Sequence, residues 1–301
     1  MRMRRFPKYF NRQIVRSICL FCAVAVFGVS LASAQHKSNR LRPRYLSNSP
    51  PDPERGREIL THFRSLGVAG DYYLEFNLEI LPRRGKKSDV PGRMWGSRQI
   101  NGPVFRADIG NSSNGPIDRV VAHNGPDSHS WRYSTEREQA AVTEFDDRTM
   151  MESIGGTGLT MFELQRPFEH WPNFVYEGTT EVRGRAVHAF LMYPPDSFAA
   201  IHPDIGGVRL HLDANFHALM QAVVLDAEET PIRKLTVMDL KKLGDQWIPK
   251  SIDVRDEKTR DKVRFKVTAA ALDLDFASQL FDPESLRVEI APPADVQPLG
   301  W

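Results

Sequence analysis

The stretch from Asp71 to Leu81, DYYLEFNLEIL, alternates apolar and polar side chains almost without a break. Tyr72, Leu74, Phe76, Leu78 and Ile80 fall on one side of an extended chain, with Tyr73, Glu75, Asn77 and Glu79 on the other. A period of two belongs to a half-buried strand, and such a strand needs antiparallel neighbours with the same two-faced pattern. The chain supplies them. GVRLHLD sets Val208, Leu210 and Leu212 against Arg209, His211 and Asp213, and KVRFKV sets Val263, Phe265 and Val267 against Lys262, Arg264 and Lys266. NFVYEGTTEV places Phe174, Tyr176 and Val182 on one face. In QWIPKSIDV, Ile248, Ile252 and Val254 share a face, and Trp247 has the opposite parity. It can join that face only if Pro249 introduces a bulge.

Short connections rich in Asp, Asn, Gly or Glu separate these segments (Arg183-Gly184-Arg185, DANF, AEET, LGD, DEKTR), as hairpins require. Two segments break the pattern. PDPERGREILTHFRSLGVAG has Asp52 to cap a helix, Pro53 at its first position and Gly67 and Gly70 where a helix would end. Its Ile59, Leu60, Phe63 and Leu66 lie on one helical face. Near the middle, Met161, Phe162 and Leu164 are spaced for a short helix stopped by Pro167. The fold class expected is mainly β: ten to eleven antiparallel strands with two helical inserts, forming a curved sheet or partly closed barrel with an apolar concave face.

The first 34 residues have a different character. Six basic residues and no acid precede an apolar run from about Ile18 to Leu31, and Ala32-Ser33-Ala34 offers a cleavage site before Gln35. The run is shorter than the roughly 20 residues a membrane-spanning helix needs, so a cleavable signal peptide with export to the periplasm is expected. Both cysteines, Cys19 and Cys22, fall inside it, which leaves no thiol for a disulfide, a nucleophile or a metal in the exported chain. Removing six of 40 basic residues leaves 34 against 38 acidic ones, a net charge of −4. No basic surplus remains for a nucleic acid. Residues 35–52 read as a disordered leader, 53–290 as the β domain and 291–301 as a loose C-terminal tail.

The rest of the chain shows no catalytic constellation. GGTGLT matches neither a dinucleotide fingerprint nor a phosphate loop, and reads as a flexible entry to the short helix. No G-x-S-x-G elbow is present. His211, Asp213 and His217 could suggest a metal cluster, but a surface strand running into a hairpin explains them more simply. The basic run from Arg83 to Lys87 reads as a solvated hairpin tip; a contact for anionic lipid headgroups is the lesser reading. No enzyme, metal or cofactor is therefore expected. The apolar faces are either ordinary core or the lining of a cavity that an apolar ligand fills.

From Met151 to Leu286 the order of segments resembles the outer-membrane lipoprotein-sorting family, the LolA-like periplasmic carriers. GTGLTMFEL resembles that family's glycine–threonine entry to a short helix. FVYEGTTEVRGRAVHAFLMYP resembles its tyrosine–glycine strand, turn and return strand, and the segment from Leu243 to Leu286 its closing strands and phenylalanine-containing end motif. VRLHLDANFHALMQAVVLD corresponds to its next hairpin, with Leu210-His211-Leu212-Asp213 in place of the usual aromatic. The resemblance implies an incomplete antiparallel β-barrel with a helical lid and an N-terminal helix, binding acyl chains of lipoproteins or other lipids without catalysis. It implies lining residues Leu74, Phe76 and Leu78 in the first strand, and Leu159 and Phe162 on the lid. Further on it implies Phe174 and Tyr176, Leu210 and Leu212, Trp247, Ile252 and Val254, and Phe265 and Val267. The partners implied are acylated lipoproteins or lipids, with membrane-bound donor or acceptor proteins, and the carrier is expected to be a monomer. The alternative is a sensor or envelope-protein interaction module built on the same fold.

Overall fold

A computed structural model describes residues 50–110, 116–135 and 141–300. The expected signal peptide and most of the leader lie outside these residues. Helix α1 spans Pro53–Ser65, and its N-terminus is held by the Asp52 carboxylate, which accepts from the Glu54 amide at 2.9 Å. A run of six strands follows: β1 (Asp71–Leu81), β2 (Ser88–Gln99), β3 (Gly102–Ile109), β4 (Asp118–His123), β5 (His129–Ser134) and β6 (Thr143–Glu144). The short helix α2 (Met161–Gln165) comes next, then β7 (Asn173–Val182), β8 (Arg185–Tyr193) and helix α3 (Asp196–Ile201). Strands β9 (Gly207–Asp213), β10 (Leu219–Leu225), β11 (Pro231–Leu243), β12 (Gln246–Asp256) and β13 (Lys262–Leu274) complete the meander. Last is β14 (Gln297–Pro298).

All strands pair antiparallel in one sheet, ordered β6-β5-β4-β3-β2-β1-β13-β12-β11-β10-β9-β8-β7, with β14 beside β13. The outer strands β6 and β7 are edges, so the sheet does not close. It curls, because a single apolar cluster takes Ile109 and Val120 from one arm and Phe190 and Met192 from the other. The expected incomplete barrel therefore takes the form of an open, curled sheet, and its strands among the described residues number fourteen rather than ten or eleven. Two of the extra strands, β6 and β14, are only two residues long and leave no periodicity to read.

The pairing of β1 with β13 joins the two arms. Phe76 in β1 stands opposite Val267 and stacks on Phe265 at 4.3 Å between ring centroids. Gly92 in β2 makes room for it: a Cβ there would lie 2.3 Å from the Phe76 ring. Glycine at this position is a packing requirement.

The convex face departs from the simple alternation. Tyr73, which parity alone assigns to water, is wholly buried with Trp95, Val104, Ala271 and Phe281. A C-terminal strap from Ser278 to Arg287 covers them. The buried guanidinium of Arg106 donates to the carbonyls of Ser285 at 2.8 Å and Val288 at 2.7 Å, while its Nε donates to Asp108 at 2.9 Å. Arg119 donates to the Leu286 carbonyl at 3.0 Å. The chain then returns to the sheet. Leu299 is buried in the main core and its amide donates to the Thr268 carbonyl at 2.8 Å. Of the segment 291–301, expected to be a loose tail, the described residues include the short strand β14 and the buried Leu299.

Candidate functional site

The concave face of the sheet carries the apolar stripe that the alternation specifies. Leu74, Phe76 and Leu78 come from β1, Leu210 and Leu212 from β9, Val254 from β12 and Val267 from β13; all are buried in one cluster. Phe174 and Tyr176 of β7, Ile252 of β12 and Phe265 of β13 are partly buried against it. Leu159 and Phe162, before and within α2, belong to the same cluster. Of the fourteen residues named from the sequence, only Trp247 stands apart. It is 62% exposed on the other face of β12, opposite Lys242 of β11. The pairing of β11 with β12 does shift between Pro249 and Ser251, yet Ile248 stays buried at 1% exposure and Trp247 keeps its outward parity.

What fills the hollow is a plug of rings delivered by the segments between the two arms. Phe162 of α2, Phe168 and Trp171 just after it, and Phe198 of α3 are all buried. Phe162 lies 5.1 Å from Phe168 and 5.5 Å from Phe198, and Trp171 lies 5.4 Å from Phe198, in tilted and stacked arrangements typical of aromatic clusters. Sequence periodicity missed α3 because six residues are too few to display a 3.6-residue repeat. The signal it left is the breaker Pro194-Pro195 before an acidic first position.

Two polar clasps hold the plug. Three glycines, Gly155, Gly156 and Gly158, adopt φ of 56°, 64° and 81°, letting the chain double back so that Ser153 bridges Thr160 just before α2. The Glu163 carboxylate closes a capping box on α2, accepting from the Thr160 amide at 2.9 Å and from its hydroxyl. It is also ion-paired with Arg233 of β11, which donates to the Gly158 carbonyl at 2.5 Å. Burial pushes the Glu163 carboxyl above its ordinary range despite that partner. The second clasp comes from α1: Arg64 donates to the carbonyls of Glu169 at 2.7 Å and Trp171 at 3.3 Å. Burial raises the Glu169 carboxyl and lowers the His170 imidazole to about 4, so the lid's histidine is neutral at pH 7. The Thr160-x-x-Glu163 spacing was a readable helix-start signal. Its ion pair with a residue seventy positions later was not.

The residues singled out as a conceivable metal group have other work. Asp213 accepts from the amides of Asn215 at 2.9 Å and Phe216 at 3.0 Å and pairs with Arg185. His211 is buried rather than on the surface, and burial lowers its pKa to about 4.

No protein-family model and no curated protein matches the chain by sequence. Solved structures do match it in shape. A putative outer membrane lipoprotein-sorting protein domain from Vibrio parahaemolyticus superposes with a TM-score of 0.67 at 14% identity, covering 79% of this chain and 100% of that one. A DUF1329 family protein from Desulfovibrio piger gives 0.64 at 15% identity over 78% and 100%. A LolA superfamily protein from Nitrosomonas europaea gives 0.56 at 10% identity over 76% and 98%. The chain has the LolA-like fold.

Proposed function

We propose that the protein is a non-catalytic periplasmic carrier, exported by its signal peptide with cleavage after Ala34, that takes an acyl chain of a lipoprotein or lipid against the concave face. The observation that carries this reading is the pairing of a continuous apolar face with a separate aromatic plug that fills it. A β-sheet that only needed a core would not require its filling on a short segment tied down by two polar clasps. With the plug displaced, an acyl chain would replace the rings contact for contact, each buried methylene contributing about 0.8 kcal/mol. The clasps keep the empty carrier from exposing its lining to water. Delivery and release by membrane-bound donor and acceptor proteins follow from that affinity, because a firmly held chain needs a partner to free it.

The test is gentle purification from the periplasm followed by native mass spectrometry and lipid extraction, together with titration by a fluorescent fatty acid. Co-purified lipid or acylated protein and saturable probe binding are expected. Absence of both would reject the carrier and leave the second reading, an interaction module whose filled hollow is permanent core. The tightly packed, fully buried rings of Phe162 and Phe168 are what favours that alternative.

A further inference from the structure

At the end of the sheet where the β1–β2 and β12–β13 hairpins meet, a surface hollow of about 580 Å³ is lined by Arg83, Arg255, Glu257, Lys258 and Arg260. We infer that this hollow is a binding site for a phosphoryl-bearing anion.

Four cations face one carboxylate here, and the register intensifies the imbalance. Arg255 of β12 stands opposite Lys234 of β11 on one side and Lys262 of β13 on the other, three positive charges in a row across adjacent strands. Like charges directly opposite one another destabilise a sheet, so such a row needs an anion to offset it. The protein's own carboxylates offset the outer two cations of the row and leave Arg255 between them without one. Glu257 lies 3.4 Å from Lys234 and 3.9 Å from Arg260, and Asp253 accepts from Lys262 at 3.1 Å. Among the described residues, Arg83, Arg255 and Lys258 form no ion pair, and the Nε of Arg255 is buried without a hydrogen-bond partner. A buried donor left unpaired is costly, and a guanidinium fork matches two phosphoryl oxygens.

The hollow is also held in shape. The Arg83 amide donates to Asp261 at 2.7 Å, tying the first hairpin tip to the second. Asp256 accepts from the Lys258 and Thr259 amides at 2.8 and 2.7 Å, which fixes the turn that presents Lys258 and Arg260. The adjacent tip adds Arg84, Lys86 and Lys87, all exposed. The site lies on charged hairpins outside the apolar cluster, so it does not rest on the carrier reading.

The test uses calorimetric titration with inorganic phosphate and glycerol 3-phosphate, and flotation with phosphatidylcholine vesicles with and without phosphatidylglycerol. The wild-type chain is expected to bind at least one of these anionic probes. Binding of the free phosphoester that competes with vesicles assigns the site to a soluble phosphate; binding to anionic vesicles alone assigns it to a headgroup. Either supports the site. Each basic residue near an anionic surface contributes about five-fold, so R83E/R255Q should weaken binding at least 25-fold, with Lys258→Glu as an independent variant. Lys242→Glu, at the opposite end of β11, should bind as the wild type does. Failure of the wild type to bind any of the probes overturns the inference. So does an unweakened R83E/R255Q, or an equal loss in Lys242→Glu.

Discussion

Glu163 of α2 is ion-paired with Arg233 of β11, and their unequal burial predicts an unequal response to mutation. The carboxylate side chain is 2% exposed and the guanidinium 22%. Replacing Arg233 with Ala leaves a buried charge alone and should cost about 3 kcal/mol or more in urea denaturation. Glu163→Gln keeps the shape and removes the charge, so it should cost clearly less, and adding it to Arg233→Ala should recover part of the loss. Histidines set a second behaviour. His211 and His170 are each lowered to about 4, and His188 and His217 shift the same way, in every case chiefly through burial. A folded state that keeps imidazole neutral binds fewer protons than the unfolded chain below pH 6.5, so this stabilisation is intact above 6.5 and is lost as pH falls, for His211 and His170 down to about 4. For the buried His211 the loss is of order 3 kcal/mol. Glu163 and Glu169, raised by burial, act in the opposite sense, gaining stability as pH falls toward 4.5. Comparing His211→Gln with wild type by urea titration at pH 7 and pH 4.5 isolates the histidine. The gap between the two should shift by kilocalories in favour of the variant at the lower pH.

Among the elements, the strands were legible and the coverings were not. Alternation alone put Leu74, Leu210, Val254 and Val267 on one face, and they meet in one cluster. The parity of Trp247 correctly pointed it outward, and only the invoked bulge pointed it in. Tyr73 and Trp95 were illegible because their burial comes from a strap some two hundred residues later, and period-two reasoning sees only the strand itself. Nor does any local pattern mark β14 or Leu299, whose order comes from pairing with β13. This strap makes its own prediction. Phe281 is 1% exposed against Tyr73 and Trp95, so Phe281→Ala should destabilise the fold by about 3–5 kcal/mol in chemical denaturation. A cost below about 1 kcal/mol would mean the strap lies loosely on the sheet. Phe162→Ala should cost a similar amount through the cavity it leaves in the plug.

At the scale of the molecule, the curled sheet forms a trough and the plug is a short insert clasped into it. In α2 the backbone bonds from the Leu164 amide to the Thr160 carbonyl and from the Arg166 amide to the Phe162 carbonyl hold the turn that carries Phe162. No helix among the described residues is long and apolar enough to cross a membrane. The central claim is that the plug gives way to such a chain. The most direct measurement is amide hydrogen exchange across residues 154–171, with and without saturating fatty acid or an acylated peptide. The account predicts faster exchange in Met161–Gln165 on ligand binding, with β9 and β12 still protected. Ligand binding that leaves this exchange unchanged would contradict it.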